Sequence, residues 1–252
     1  MSDGSHWGDA YYGALYLDSV ADLLTPRLSA LEAAAIRALL RLAPGESVLD
    51  LACGHGRHAR VLAGGARVVG LDRSGAYLRR AAGEGAPAAF VRGDVRALPF
   101  RAASFDAAYS WYASLFMFDD AQNEACLSGA ARVLRPGGRL LVHHANPLRL
   151  AREPDASARR ALPDGSAVEE ESHYDVARGV DRCARTLVRP GGDRLAGTAE
   201  LRYYMPTEWG PLARRAGLRL VELTTTPDAG RASRREPGPD SPDLIALLEK
   251  PK

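Results

Sequence analysis

A short glycine turn beside an acidic residue is the part of the sequence best suited to chemistry. A short apolar run ends at Asp50, and Gly54 and Gly56 follow before a helical segment begins. Glycine lets the backbone approach a ligand closely, and the first turn of a helix leaves N–H groups free. A glycine loop alone suits a pyrophosphate. The carboxylate of Asp50 instead favours a ligand that carries a cationic amine.

The acids that follow bear on the kind of ligand. Residues 54–59 also match the dinucleotide fingerprint G-x-G-x-x-A, so both a nicotinamide or flavin and a methyl donor such as S-adenosylmethionine are open at this point. Asp72 ends the next apolar run, where either ligand needs an acid for its ribose hydroxyls. Asp94 follows a third run, where an acid can accept the adenine amino group, and it favours the methyl donor.

Five stretches of the chain, in this order and spacing, resemble the class I S-adenosylmethionine-dependent methyltransferases. They are residues 48–59, 69–74, 93–100, 105–112 and 132–142, and a looser similarity to small bacterial members of the family runs nearly from end to end. The resemblance implies S-adenosyl-L-methionine as the cofactor. The residues that it implies in donor binding are Asp50, Ala52, Cys53, Gly54, His55, Gly56, Asp72, Arg73, Gly93, Asp94, Val95, Ser110 and Tyr12. His58 is interpreted as packing, and no residue is assigned to a metal.

The order of apolar runs predicts an α/β fold in a single methyltransferase domain, residues 1–252. Residues 46–145 alternate strand and helix, which predicts a Rossmann-like doubly wound sheet of about seven strands with the last strand antiparallel. Residues 1–43 are expected to form a helical cap. Residues 146–205 break the alternation with a polar loop and then three strands joined by short turns, which predicts an antiparallel β insert over the substrate. A Pro/Gly/Arg-rich loop is predicted at 227–242.

Two adjacent histidines are the candidate catalytic groups. His143 and His144 end the fifth strand, beside the crevice where open parallel sheets bind ligands. Neighbouring strand residues point to opposite faces, so only one of the two is expected to face the pocket. An imidazole with a pKa near ~6.5 can take a proton from a hydroxyl or amine. The alternative is a hydrogen-bonded histidine that only shapes the pocket.

Composition narrows the class of protein and its partners. The net charge of +2 is small and the arginines occur as scattered pairs, so a small-molecule acceptor is expected and a nucleic acid is not. No apolar run approaches the ~18–20 residues that span a bilayer, and the start of the chain lacks a signal-peptide pattern. The three cysteines show no metal spacing and are interpreted as reduced, which indicates a cytoplasmic protein. A monomer or homodimer is expected.

The sequence predicts methyl transfer from S-adenosylmethionine to an O, N or C atom of a small molecule, in secondary metabolism. Two other functions stay open. The fold can be recruited to a non-methylating reaction of a biosynthetic pathway, because fold does not fix function. The chain can also be a non-catalytic S-adenosylmethionine-binding protein. Tyr11, Tyr12 and Tyr16, near the start of the chain, either pack a helix or close over the donor.

Overall fold

The structure, a computed structural model, describes residues 11–85, 87–226 and 236–252. The α-helices of these ranges, α1 to α7, span Ala14–Val20, Pro26–Leu39, Arg57–Leu62, Gly75–Gly83, Asp120–Val133, Pro147–Arg152 and Trp209–Arg215. The strands, β1 to β11, span Ser47–Leu51, Arg67–Asp72, Ala89–Arg92, Phe105–Ser110, Leu134–Ala145, Asp155–Ala161, Ala167–Asp175, Val180–Val188, Arg194–Arg202, Arg219–Thr224 and Asp243–Glu249. They form two separate sheets.

The larger sheet has seven strands in the order β10-β11-β5-β4-β1-β2-β3. Strands β1 to β5 pair in parallel, whereas β11 runs antiparallel to both β5 and β10. This confirms the predicted Rossmann-like sheet with its antiparallel last strand. The chain leaves β1 toward β3 on one side and then returns to β4 on the other. The switch point between β1 and β4 is where open α/β sheets bind ligands.

Both faces of the larger sheet are covered, which explains why its strands are continuous apolar runs in the sequence. On β5, Leu140 and Val142 belong to one hydrophobic layer and Leu141 to the other. On β1, Leu49 faces the first layer and Val48 the second. All five side chains are fully buried. Because both faces are closed, the carboxyl ends of the strands are the part of the sheet left open to a ligand.

Two helices precede the sheet. They lie in residues 11–43, the part of the predicted helical cap that the structure describes. Helix α2 begins after Thr25, whose side chain accepts a hydrogen bond from the N–H of Leu28 at 3.1 Å, and Pro26 occupies the first helical position. Both features are typical of a helix start. Helix α1 is short, and its buried residue Leu15 packs against the insert residues Val168 and Leu187.

The insert is a four-stranded antiparallel sheet in the order β6-β7-β8-β9. Its last three strands match the predicted ones. The expected polar loop before them is wrong in part, because the chain there forms α6 and β6. Asn146 caps α6 by accepting a hydrogen bond from the N–H of Leu148 at 3.1 Å, and Pro147 starts the helix. Strand β6 is almost wholly exposed, so it shows no apolar pattern from which a strand could be predicted. Of the predicted loop at 227–242, residues 227–235 lie outside the described ranges.

Candidate active site

A cavity of about 1050 Å³ lies at the carboxyl ends of β1 to β4, under α1 and the insert. This volume is at the upper end of the ~300–1,000 Å³ typical of ligand pockets, so it has room for a cofactor and a second small molecule. Its wall has two parts. The donor wall comes from the ends of β1 to β3 and the start of α3, and it comprises Asp50, Ala52, Cys53, Gly54, His55, Arg57, Asp72, Arg73, Gly93, Asp94 and Val95. The acceptor wall comprises Tyr11, Tyr12, Tyr16, Val20, Leu23, Leu24, Leu28, Trp111, Tyr112, Ser114, Met117, Arg185 and Leu201.

The two glycines of the turn have different structural roles. Both have a left-handed backbone, with φ of +56° at Gly54 and +73° at Gly56. A Cβ built on Gly54 would find Tyr77 at 3.9 Å as its nearest neighbour, so this glycine presents an open backbone edge to the cavity. A Cβ on Gly56 would lie 2.7 Å from the ring of Phe90. Gly56, which is not part of the cavity wall, is therefore required for packing rather than for approach to a ligand.

Asp72 is held in place by backbone hydrogen bonds. Its Oδ2 accepts from the N–H of Gly54 and its Oδ1 from the N–H of Ser74, both at 2.8 Å. Burial raises the pKa of this carboxyl despite the two donors. Each carboxylate oxygen has two lone pairs, so both oxygens keep acceptor capacity for hydroxyls of a ligand. The arrangement fixes the carboxylate at the wall of the cavity in one orientation.

Asp50 is a buried acid that lacks a full set of partners. The residue is 3% exposed, and its Oδ2 has no hydrogen-bond partner among the residues that the structure describes. Burial raises its pKa to about 7, well above the ordinary value of 3.8. Burying a charge without a partner costs free energy, so a cation or a hydrogen-bond donor bound in the cavity would stabilise this carboxylate. A cationic amine meets that need.

Asp94, the third predicted acid, reaches the cavity beside Gly93 and Val95. Its carboxylate is paired with Arg96, whose Nη2 lies 2.7 Å from Oδ2. The hydrogen bonds from Arg96 lower the pKa of Asp94, which keeps it ionised. This contact, which sequence reasoning did not anticipate, leaves the carboxylate with lone pairs for one further donor.

A polar cluster behind the glycine turn was missed by sequence reasoning. Glu32 on α2 is 7% exposed and accepts hydrogen bonds from Arg57, from His58 Nε2 at 2.8 Å and from the hydroxyl of Tyr112. Burial alone would raise the pKa of Glu32, but its three hydrogen bonds outweigh burial and lower it to about 2. Arg57, His58 and Tyr112 line the cavity. Arg57 is thus a buried guanidinium near the turn that is paired with Glu32, and His58, predicted as packing, also forms a hydrogen bond to this carboxylate.

The N-terminal tyrosines Tyr11, Tyr12 and Tyr16 line the cavity, and Tyr12, predicted as a donor contact, lies on the acceptor wall. The hydroxyl of Tyr77 on α4 donates to the carbonyl oxygen of Tyr12 and, at 2.8 Å, to that of Gly13. These bonds tie the start of the cap to the donor wall. His55 also lines the cavity, and burial lowers the pKa of its imidazole to about 4, so it is neutral at physiological pH.

The structure does not bring His143 or His144 to the cavity wall. The rings lie on opposite faces of β5, as predicted, with His143 stacked on Trp111 and His144 on Trp209. Nδ1 of His143 accepts from the N–H of Tyr112 at 3.1 Å, and Nε2 lies 3.2 Å from Asp243. With both nitrogens engaged, neutral His143 has no lone pair for a substrate proton.

His144 is fully buried, and burial lowers its pKa to about 4. The geometry therefore does not support either histidine as the base. His143 instead holds an unusual turn, because its carbonyl accepts from the N–H of Ala113 at 2.8 Å and both Tyr112 and Ala113 have positive φ. Ser110, another predicted donor contact, is also fully buried behind the cavity wall.

The donor wall suits S-adenosylmethionine by its chemistry. It offers an acid without a full set of partners for an amine, a cation for a carboxylate, a fixed acid for vicinal hydroxyls and an open glycine edge, supplied by Asp50, Arg57, Asp72 and Gly54. The pyrophosphate of a dinucleotide would face the buried carboxyl of Asp50 instead. The geometry thus agrees with the methyl-donor interpretation of the turn.

Comparison with known proteins supports the same conclusion. Residues 48–138 match a family described as a methyltransferase domain. An uncharacterised methyltransferase of Synechocystis is 43% identical over 100 residues, which are 39% of this chain and 47% of that protein. A demethylmenaquinone methyltransferase of Mycobacterium tuberculosis is 41% identical over 109 residues, or 43% of this chain and 44% of the relative. The chain therefore spans less than half the length of these curated relatives.

A solved structure extends the likeness beyond the core. The CcbJ methyltransferase of Streptomyces caelestis has a TM-score of 0.78 at 23% identity, over 94% of this chain and 98% of the other. At that identity the match shows the fold, including the region of the insert. The match to the methyltransferase domain family contains the strand ends that carry Asp50, Asp72 and Asp94. Residues 48–138 are thus similar to the methyltransferase domain family, and the chain as a whole shares the fold of a solved methyltransferase.

Proposed function

We propose that this protein transfers the methyl group of S-adenosylmethionine to a small molecule held under the insert. The observation that carries the proposal is the Oδ2 of Asp50, which is buried without a described partner beside the open edge of Gly54. It makes the cavity incomplete without a donor such as an amine. The cavity of about 1050 Å³ also leaves room for a second molecule beside the donor.

Four charged residues of the donor wall have defined roles in binding. Asp50 accepts from the amine, and Arg57 pairs with the carboxylate of the methionine end. Asp72 accepts from the ribose hydroxyls, while Asp94 accepts from the adenine amino group. Bound S-adenosylmethionine supplies an activated methyl group on a sulfonium, so the protein mainly aligns the acceptor. The buried aromatic residues of the acceptor wall exclude water from that alignment.

The acceptor is a small molecule because the cavity lies beneath α1 and the insert. Packing between Leu15 of α1 and the insert residues Val168 and Leu187 closes this side. We further propose that the protein does not act on nucleic acid and works as a monomer or homodimer. The small net charge of +2 supports the first point.

The two other functions named from the sequence gain no support. A non-methylating enzyme and a sensor would both keep the donor wall, so the wall does not separate them from a methyltransferase. The acceptor wall argues for turnover, because a sensor has no need for further space beside the donor. In the described part of the chain, no helix is long and apolar enough to cross a membrane.

Two measurements test the proposal. Calorimetric titration is expected to show binding of S-adenosylmethionine and S-adenosylhomocysteine, with NAD⁺ as the matched control that does not bind. The protein is then incubated with S-adenosylmethionine and pooled metabolites smaller than about 1 kDa. Release of S-adenosylhomocysteine that depends on the metabolites, and is lost in Asp72→Ala, supports methyl transfer. Absence of donor binding would disprove the proposal, and binding without any metabolite-dependent release would favour a sensor.

A further inference from the structure

Arg185 is an unusual residue for a surface insert. It lies in the middle of β8, is 8% exposed and lines the cavity. Its guanidinium carbon is 4.7 Å from the ring centre of Tyr11 and 5.3 Å from that of Tyr16. The cation is therefore buried between aromatic rings of the cap, where cation–π attraction holds it.

The hydrogen bonds of Arg185 are incomplete on the side away from its ion-pair partner. Nε donates to Oε1 of Glu170 at 2.7 Å, and Nη2 lies 2.6 Å from the same oxygen. Nη1 is buried and has no partner among the residues that the structure describes. A guanidinium has five N–H donors and no acceptor, so a bare Nη1 leaves two donors unpaired. Such a group is costly to bury unless a ligand completes it.

The charge of the ion pair is also unevenly distributed. The side chain of Glu170 is 42% exposed, whereas that of Arg185 is 10% exposed. Solvent therefore screens the carboxylate but not the guanidinium, and the interior end of the pair stays positive. Arg182, on the same strand, offers a contrast: it pairs with Glu200, and both side chains are about half exposed. Burial between rings thus sets Arg185 apart from an ordinary surface arginine.

We infer that Nη1 of Arg185 binds an anionic oxygen of the methyl acceptor, and that the acceptor is a small aromatic acid or phenol. This inference rests on the proposed function, since it names the substrate class of the same cavity. The guanidinium favours a carboxylate or phenolate oxygen. The rings of Tyr11, Tyr16, Trp111 and Tyr112, which all line the cavity, favour a flat aromatic body.

The inference is tested by fragment binding to the protein loaded with S-adenosylhomocysteine. The probes are benzoate and its neutral counterpart benzamide. Their binding is measured by calorimetry or by saturation-transfer NMR. Benzoate is expected to bind at least about tenfold more tightly than benzamide to the parent protein. In Arg185→Gln this preference is lost, and in Arg185→Lys, which keeps the charge without the planar fork, it is reduced. Arg182→Gln is the matched control and keeps the parent preference.

Folding and donor binding are checked in the same samples. Each variant must bind S-adenosylhomocysteine within about twofold of the parent, which shows that the donor wall is intact. Equal affinity for benzoate and benzamide in the parent, or an unchanged preference in Arg185→Gln, would overturn the inference while leaving the proposed function in place. If the parent protein does not bind S-adenosylhomocysteine at all, the proposed function itself is overturned. Arg185→Lys also serves as the second variant if Arg185→Gln does not fold.

Discussion

The donor wall and the acceptor wall of one cavity are built in opposite ways. The donor wall comes from residues 50–95, and two of its acids, Asp72 and Asp94, accept hydrogen bonds from backbone N–H groups close to them in the chain or at the end of the adjacent strand. The acceptor wall joins residues 11–28 to residues 111–118 and to Arg185 and Leu201 of the insert. Local backbone chemistry specifies the first, and tertiary packing assembles the second. Substitutions on the two walls should therefore fail in different ways.

The largest effect is expected at Gly54. Gly54→Val places a branched side chain on the open edge at φ +56°, so donor binding should be abolished. Gly56→Ala is the contrasting variant, because its Cβ would clash with the ring of Phe90 and lower stability instead. Calorimetry and thermal melting separate the two outcomes. If Gly54→Val binds S-adenosylhomocysteine normally, the donor does not approach this edge.

Asp72→Ala should have the second largest effect. It removes the acceptor for the ribose hydroxyls and the anchor of the Gly54 N–H together. Loss of charge-assisted hydrogen bonds worth ~1.5–3 kcal/mol each predicts at least about a hundredfold weaker donor binding. Asp240→Ala, at an 89% exposed side chain, is the matched control and should bind like the parent. Unchanged affinity in Asp72→Ala would disprove its role.

Asp50 should produce a smaller effect that depends on pH. Its pKa of about 7 means that the donor-free protein holds a proton there that an amine-bearing ligand must displace. As the pH is raised toward 7, the affinity for S-adenosylhomocysteine should increase by up to about tenfold per pH unit. Above pH 7 the affinity should level off. Asp50→Asn should lose this dependence and bind about tenfold more weakly at pH 8. A flat pH profile in the parent would contradict the assignment.

The same variant tests stability with the opposite sign. Between pH 4 and 7 the folded protein keeps the proton on Asp50 while the unfolded chain loses it, so this group destabilises the fold as pH rises. Asp50→Asn removes that penalty. The donor-free variant should therefore melt at a higher temperature than the parent, by more at pH 8 than at pH 5. A lower melting temperature at pH 8 would show that the carboxylate is satisfied in the free protein.

The smallest effect on turnover is expected at the two histidines. Because neither lines the cavity, His143→Ala and His144→Ala should lower the melting temperature by several degrees through lost stacking and hydrogen bonds. Turnover per folded molecule should stay close to that of the parent in His144→Ala and fall only slightly in His143→Ala, because the His143 ring holds the N–H of Tyr112 on the acceptor wall. A loss of ~10²–10⁴-fold in either variant at unchanged donor affinity would instead restore the base hypothesis. Phe116→Leu, a buried ring beside His144, is a control for packing alone.

Sequence reasoning succeeded where the backbone dictates the chemistry. Acids at strand ends and a glycine between strand and helix are local patterns, so the positions of Asp50, Gly54 and Asp72 at the site could be predicted from the sequence alone. The fold followed from the same alternation of runs. Gly56 was assigned to the donor because spacing does not reveal that the ring of Phe90 fills the space beside it.

The contacts within the acceptor wall and the surroundings of the two histidines could not be predicted from the sequence. Arg185 and Tyr11 are far apart in the chain, and neither belongs to a motif, so their contact depends on how the insert packs on the cap. Strand alternation correctly placed His143 and His144 on opposite faces. It could not show that Trp111 and Trp209 cover both rings, because such neighbours are set by tertiary packing.

The insert shares no strand ladder with the seven-stranded sheet in the described part of the chain. It joins the core through side-chain packing around Tyr174, Leu201 and Tyr203 and through the hydrogen bond from the Arg202 N–H to the carbonyl of Phe116. Evolution can therefore edit residues 155–202 without shifting the register of the strands that end at the donor wall. Duplicated genes with this architecture can therefore diverge in substrate specificity while the cofactor-binding site stays unchanged.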